Sequence, residues 1–596
     1  MTTPSRAQAI GPIGSILLSL ALATLASGAS KPAPTTHEDW HPLLRDGADM
    51  RIERAGFFGA GGVEAFSGVC VLPGGEIAAY GNSWGAPFPE DPKPSVLGAD
   101  HAVDLPLFPG GFDKDGKGSP LPPPRLHPNR TGFIVRYAPD LGRIASVMRF
   151  GWGVATMDAG LAGKDGGMVV AGAASVHFDA IAGDAKARRI PAPNDPIRCF
   201  GPLLFETARL AGNVYVGRLN AKQTGFEWLW VLEGYRVPPP AIHPAPDGSM
   251  VFECNHEMFR VAADGSTCVS LGVLTTPARG ATLSLAGVRP DNGQLVVAGG
   301  RMYSHEYEAH LGTRFSSVVE PVLDMLAPDG KLASRLYHWP TSLTANRRIN
   351  LRTPCSIVAA CVFPDGALAF AGQARGTNTL LETNPADLTQ RCRPGGFQLN
   401  PAYNPSPWAP PPPAALQLVV TTPGEWSKGV RAPWVAMDGI LPAQVAARGM
   451  LGMRDGRLAL WGESGRWLLQ TETNVFRAYD HVKYLSQDFS RSVPEMQASG
   501  RPKILAVGGE GPYLTVFDRD LAGLAWSSAL PGCRVAGAVE TDRGLAVVSM
   551  CVPDSIPKYA ETPPGMENRP PAMNTPWTKF GGGLSDGHIL LLGGAK

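Results

Sequence analysis

The chain has 596 residues, 44% of them hydrophobic, with 71 Gly and 57 Pro. Such length and apolar content suffice for a large core and exclude a globally disordered chain. Its 53 basic and 52 acidic residues leave a net charge of +1, which supplies no basic field for nucleic acid.

The first element has the layout of an export signal. Arg6 precedes an apolar stretch from Ile13 to Ala26, followed by the small residues Ser27, Gly28 and Ala29. A positive start, a short apolar run and a small-residue exit describe a secretory signal peptide over residues 1–29. The run is shorter than the roughly 20 residues a spanning helix needs, so cleavage is expected rather than anchoring. No later run reaches that length, and the mature chain is expected in the periplasm or outside the cell, without a transmembrane span. Residues 30–49 read as an extension and 50–596 as a single domain.

From Val69 onward one phrase recurs: an apolar run, a Pro/Asp/Gly turn, a second apolar run and a closing Gly. It reads VCVLPGGEIAAYG (Val69 to Gly81), GLAGKDGGMVVAG (Gly160 to Gly172), IHPAPDGSMVFEC (Ile242 to Cys254) and GVRPDNGQLVVAGG (Gly287 to Gly300). Further copies are CVFPDGALAFAG (Cys361 to Gly372), GMRDGRLALWG (Gly452 to Gly462), AVETDRGLAVVS (Ala538 to Ser549) and LSDGHILLLGG (Leu584 to Gly594). Alternating apolar runs around an Asp-Gly turn are hairpins. Most are followed by a second pair of runs, as in FIVRYAPDLGRIASVMRF (Phe133 to Phe150) and YLTVFDRDLAGLAWSSAL (Tyr513 to Leu530). Hairpin plus outer pair makes a four-stranded unit that cannot bury its own faces, so the array is expected to close on itself as an all-β propeller.

Turns near Gly75, Gly166, Gly248, Gly293, Gly366, Gly456 and Gly544, with a degenerate one before ILAVGG (Ile504 to Gly509), tally to eight blades. Without the degenerate turn the count is seven. HILLLGG (His588 to Gly594) is placed as the third strand of the last blade and MRIERAGFFG (Met50 to Gly59) as its outermost strand. The two chain ends then close the ring in one sheet and remove its open edges.

The outer-pair phrases GFIVRYAPDLGRIASVMRFGWG and VYVGRLNAKQTGFEWLWVLEG resemble those of the bacterial secreted β-propeller repeat (SBBP-like) family. The hairpins ending in VVAG or VVAGG resemble that family's inner strands. The likeness is at the level of the repeat, and similar phrases occur in NHL and quinoprotein-like propellers. It implies a secreted or surface protein and brings no catalytic residues.

Long insertions interrupt the pattern at 82–131, 173–213, 301–318, 393–440 and 551–583. Those that follow a hairpin's second strand open on one face, and insertions gathered on one face mark a working surface. The first polar groups beyond those strands are the candidate binding residues at the channel mouth: Asn82, Ser175, Asn255, Arg301, Gln373, Glu463 and Glu510. The alternative is that they are solvated loop residues. LPPPRLHP (Leu121 to Pro128) and PSPWAPPPPAA (Pro405 to Ala415) read as stiff extended loops.

Metal and nucleophile signals are weak. FDKDGKGS (Phe112 to Ser119) opens like a calcium loop, but Pro124 stands where the closing carboxylate is needed. HEYEAH places His305 and His310 five apart, off a shared helical face, and they could meet a metal only in a loop with His256 nearby. There is no Walker loop or GxGxxG fingerprint. Of nine cysteines, Cys533 and Cys551 are equidistant from Asp542 in a hairpin turn, which allows either a cross-strand disulfide or two buried thiols.

The sequence therefore leads to an exported, monomeric binding scaffold that meets a protein, glycan or envelope component through its loop-rich face, with no cofactor. The alternative is a channel-mouth enzyme (hydrolase, lyase or oxidoreductase) assisted by a metal ion. No linear catalytic motif decides between them.

Overall fold

A computed structural model of the chain describes residues 50–59, 63–84, 92–100, 130–175, 187–191, 213–235, 237–274, 282–309, 312–336, 355–375, 414–422, 425–431, 434–437, 446–464, 503–504, 511–517, 524–529, 534–551 and 585–594, with 88, 89, 178 and 185. Their regular elements are strands, arranged in seven sheets that follow one another as the blades of a β-propeller. Blade 1 comprises Val63–Val71, Ile77–Trp84, Arg130–Tyr137 and Ile144–Phe150. Blade 2 comprises Ala159–Ala162, Met168–Ala174, Asn213–Leu219 and Phe226–Glu233. Blade 3 follows with Ile242–Pro244, Met250–Cys254, Glu257–Val261 and Cys268–Val273, and blade 4 with Thr282–Val288, Leu295–Ala309, Gly312–Leu326 and Leu332–Leu336.

In blade 5, Cys355–Val362, Leu368–Arg375 and Ala414–Thr422 are followed by two short strands, Glu425–Arg431 and Trp434–Met437, that share the flank of the third. Blade 6 is built from Ala446–Gly452, Leu458–Ser464, Gly511–Phe517 and Leu524–Ala529. Blade 7 takes Arg534–Thr541, Gly544–Cys551 and Asp586–Gly594, and then Met50–Phe58 as its outermost strand.

The count is seven, the smaller of the two that the sequence allowed. The degenerate turn before Gly509 makes no blade of its own. Lys503–Ile504 pairs parallel with Trp434 and Val435 of blade 5, and the strand that follows is the third of blade 6. Ring closure is as expected: Met50 stands opposite Gly594 and Phe57 opposite His588 in an antiparallel ladder between the chain's two ends.

Local chemistry explains the blade. All seven hairpin glycines, Gly75, Gly166, Gly248, Gly293, Gly366, Gly456 and Gly544, have positive φ. At Gly366 (φ 84°) a Cβ would meet nothing, so only backbone conformation demands glycine there. The first strand, nearest the axis, carries the same irregularity in five blades, between Phe66 and Gly68, Leu285 and Gly287, Ile357 and Ala359, Ala447 and Gly449, and Val535 and Gly537. One extra residue bends the strand around the channel. At Gly68 and Gly449 the missing side chain leaves room for Tyr80 and Trp461, which lie directly opposite on the second strand.

The core is divided rather than continuous. Seven apolar clusters each fill one seam between neighbouring blades, from Tyr80, Phe150 and Tyr215 between blades 1 and 2 to Phe58, Phe66, Phe133 and Ile589 between blades 7 and 1. Burial of both faces explains why the second strand Met168–Ala174 reads as an unbroken apolar run, and why Ile77–Trp84 begins as one up to Gly81.

Candidate functional site

The propeller's two faces differ in construction. On one, the first and second strands are joined tightly, as from Val71 to Ile77, Ala162 to Met168, Val362 to Leu368 and Gly452 to Leu458. These turns are locked by carboxylates accepting from the amide two residues on: Asp165 from Gly167 (3.1 Å), Asp247 from Ser249 (2.9 Å), Asp365 from Ala367 (3.0 Å) and Asp455 from Arg457 (3.0 Å). Such bonds favour the ionised carboxyl and hold Asp165 below its ordinary pKa, chiefly through Gly167. The charges are further paired with cations, as in Arg218–Asp165 (2.5 Å), Arg289–Asp291 (2.8 Å) and Arg457–Asp455 (2.6 Å). That face satisfies itself.

The opposite face receives the connections between second and third strands. They run from Trp84 to Arg130, Ala174 to Asn213, Arg375 to Ala414, Ser464 to Gly511 and Cys551 to Asp586. Blade 4 differs: residues expected as an insertion at 301–318 continue its hairpin, paired out to Ala309 and Gly312. Within 393–440 the chain likewise returns to the blade as strands. Blade 3 has only a two-residue turn, Asn255 and His256, with φ of 49° and 65°. Both values are left-handed, the geometry that matches the twist of a hairpin.

Blades 1 and 2 anchor their insertions by the same device. An aromatic side chain enters the seam: Phe88 against Phe58, Phe133 and Trp152, and Phe178 against Tyr215 and Phe226. A three-residue strand then pairs parallel with the outermost strand, Ser95–Leu97 beside Met148–Phe150 and Arg188–Ile190 beside Trp230–Leu232. Charges fasten both. Arg149 grips Asp100 through two bonds (2.6 and 3.0 Å), and Arg189 meets Glu233 at 2.6 Å. Nothing local in the sequence marks these short strands.

Asn82, Ser175, Asn255, Gln373 and Glu463 stand at or just past the ends of second strands, whereas Arg301 lies within one, and they are not alike. Asn82 is 2% exposed and bonded to Met157 and Asp158 of the next blade. Ser175 donates its amide to Val154 O (2.9 Å). Asn255 Oδ1 accepts from Val237 N (2.7 Å), and Glu463 is paired with Arg448 (3.0 Å). Arg301 stands opposite Glu320, and Gln373 between Ser356 and Leu416, but their side chains lie outside the described residues, as does Glu510 altogether.

Near Asn82 the face carries a polar clasp. Asp158 accepts from Thr156 Oγ1 (2.5 Å) and lies 3.5 Å from Arg130, whose guanidinium stacks 4.5 Å from the Trp84 ring centre. Trp84 and Arg130 face each other across two strands and are the two ends of the blade 1 insertion. Thr156 also accepts from Ala173 N (2.7 Å), and its carbonyl accepts from Tyr215 OH (2.7 Å).

A second polar group fills the closing seam. Glu64 and Asp586 are fully buried, Ser83 donates to Glu64 at 2.9 Å, and Glu64 N donates to Ser585 O at 2.9 Å. Ser549 Oγ lies 3.2 Å from His588 Nδ1. Ser549, His588 and Asp586 are the residue types of acyl transfer, but each is at most 2% exposed and closed to substrate. The serine also faces the ring nitrogen that a triad gives to its carboxylate.

His256 is half-exposed, with Nδ1 3.4 Å from Glu253, whose hydrogen bond and charge raise its pKa. His305 sits opposite Ser316 on the blade 4 hairpin, and His310 lies outside the described residues. Among the described residues no cluster of His, Cys, Asp and Glu could hold a metal ion. Arg534 pairs with Met550, next to the proposed disulfide positions, but Cys533 and the Cys551 side chain lie outside the described residues. So do the two Pro-rich stretches up to Pro413 and the Asp113 loop. No helix among the described residues is long and apolar enough to cross a membrane.

No protein-family model matches this chain, and no curated protein matches it. Solved structures are similar to it only at low identity and low TM-score. A protein of unknown function from Dyadobacter fermentans is 10% identical over 92% of this chain and 100% of its own, with a TM-score of 0.36. Hydrazine synthase of Kuenenia stuttgartiensis is 11% identical over 73% of this chain and 96% of its own, at 0.32. A nidogen/laminin complex chain is 8% identical over 67% and 91%, at 0.26.

Proposed function

We propose that this propeller is an exported binding scaffold whose insertion-bearing face meets a protein, glycan or cell-envelope component. The asymmetry of the two faces carries the reading. One face is closed by tight turns whose carboxylates are bonded to their own turn and paired with neighbouring cations. The other receives every long connection, and two of these are fastened to the blade rim by an aromatic side chain and a parallel strand. Insertions held on a rigid frame are how loop-bearing scaffolds present a surface. The repeat phrases resemble those of secreted SBBP-like propellers, and residues 1–29 have the layout of a signal peptide.

The test compares the faces. A variant with Arg301, Glu463 and Glu510 changed to Ala is expected to lose capture of envelope-extract components while keeping the wild-type melting curve. A turn-face variant, Asp455→Ala with Arg457→Ala, is expected to keep capture. Equal capture by both overturns the assignment.

A further inference from the structure

We infer that blade 7 is an acid-sensitive latch: protonation of His588 loosens the ladder between the chain's two ends and opens the ring at that blade. His588 is 1% exposed on Asp586–Gly594, the strand joining the two parts of the closing sheet. It touches both neighbouring strands. Its Nδ1 lies 3.2 Å from Ser549 Oγ, and its ring packs on Phe57 of the outermost strand with centroids 5.0 Å apart. Its Nε2 is buried without a hydrogen-bond partner among the described residues, so a proton placed there gains no acceptor in the closed state.

The surroundings offer little to stabilise an imidazolium. From the neighbouring strands come the neutral Ser549 and the Phe57 ring, while Glu53 and Arg54 further along the outermost strand are engaged with Arg543 and Asp140. On its own strand the charged group is Asp586, two residues away. In blade 6, Trp461 packs with Leu590 and Leu592, which puts Glu463 on the facing side, where it is paired with Arg448. The outer strand of that blade, Leu524–Ala529, has no titratable side chain. Burial alone lowers the His588 imidazole from 6.5 to about 4.

Opening returns the ring to water and to its ordinary value, so the open form takes up a proton that the closed form refuses. Closure is strongest above that ordinary value and weakens as pH falls from 6.5 towards 4. Between pH 7 and pH 5 the opening equilibrium should rise about 20-fold by linkage. Blade 7 yields first for a topological reason. Met50–Phe58 is held in its sheet by one ladder, and peeling it away uncovers His588. His243, also lowered to about 4 by burial, lies on the first strand of blade 3, a blade drawn from one continuous stretch of chain, so no ladder between chain ends opens there.

Hydrogen–deuterium exchange of the full chain at pH 7 and pH 5, corrected for intrinsic rates, tests this. Protection of Met50–Phe58 and Asp586–Gly594 is expected to fall about 20-fold at pH 5, while the hairpins of blades 2 and 6 keep theirs. A uniform loss, or a blade 3 loss equal to that of blade 7, overturns the proposal. In His588→Gln the pH dependence at blade 7 should vanish whatever its basal protection, and persistence also overturns it. If that variant does not fold, the wild-type comparison decides alone.

Discussion

Asn82 in blade 1 and Met157 on the approach to blade 2 hold each other through both of their polar ends. Met157 N donates to Asn82 Oδ1 at 2.8 Å, and Asn82 Nδ2 donates to Met157 O at 3.1 Å. The Asn82 amide copies a strand's hydrogen bonding where the two blades have no ladder between them. Asn82→Ala would leave a buried donor and a buried acceptor unsatisfied, a loss of about 2–3 kcal/mol. Asn82→Asp should fare no better, because it turns a donor towards Asp158 into a like charge. Denaturant midpoints check both, and wild-type stability in either would remove this role.

Glycine substitutions should separate backbone strain from crowding. Gly366→Ala is expected to lower stability by about 1 kcal/mol, since only its positive φ is at stake. Gly265 has φ of 69° and the Trp228 side chain 2.2 Å from where a Cβ would stand. Gly265→Ala should therefore lose clearly more. Equal shifts in the two melting curves would contradict the packing described.

The Arg149–Asp100 grip should matter locally. Asp100 is a rim residue and the pair is partly solvated, so Asp100→Ala is expected to move the global midpoint by less than about 1 kcal/mol. Amide protection at Ser95–Leu97 should nonetheless fall several-fold by exchange mass spectrometry, because this short edge strand is paired on one side and the Arg149–Asp100 bonds fasten the chain just beyond it. Arg149→Ala should reach further, since Arg149 is 9% exposed and also lies over Trp152.

His256 titrates in the opposite sense from the buried histidines. Its hydrogen bond to Glu253 raises the imidazole above its ordinary value. The pair therefore contributes fully below that ordinary value and fades as pH rises through the raised one. Glu253 also accepts from Leu285 N at 2.9 Å, tying blade 3 to blade 4. A nuclear magnetic resonance titration should show the His256 ring falling back in Glu253→Gln. An unchanged midpoint would separate the two side chains.

The blade hairpins were legible because their signal is local: Asp-Gly turns between apolar runs, each with a glycine at positive φ. The extra blade in the higher tally arose because ILAVGG imitates the end of a second strand, although the paired strand after it is a third. The three-residue rim strands were not legible, since they are too short for any periodicity and are held by partners such as Arg149 and Glu233 elsewhere in the chain. Reading Asn82 as the first polar group past a strand found its position on the loop face. It could not find its burial, which depends on Met157 in the neighbouring blade. Glu64 and Ser585 gave no hint of meeting, because a seam between chain ends has no sequence proximity.

That closing ladder also sets an order of events. Met50–Phe58 precedes every other described strand in the chain, yet its partner, Asp586–Gly594, comes last. Blades 1 to 6 draw their strands from segments that become available in turn. The opening segment has no partner in its native sheet until the last segment arrives. The strand with the longest wait is therefore the one most exposed to wrong partners while the ring assembles.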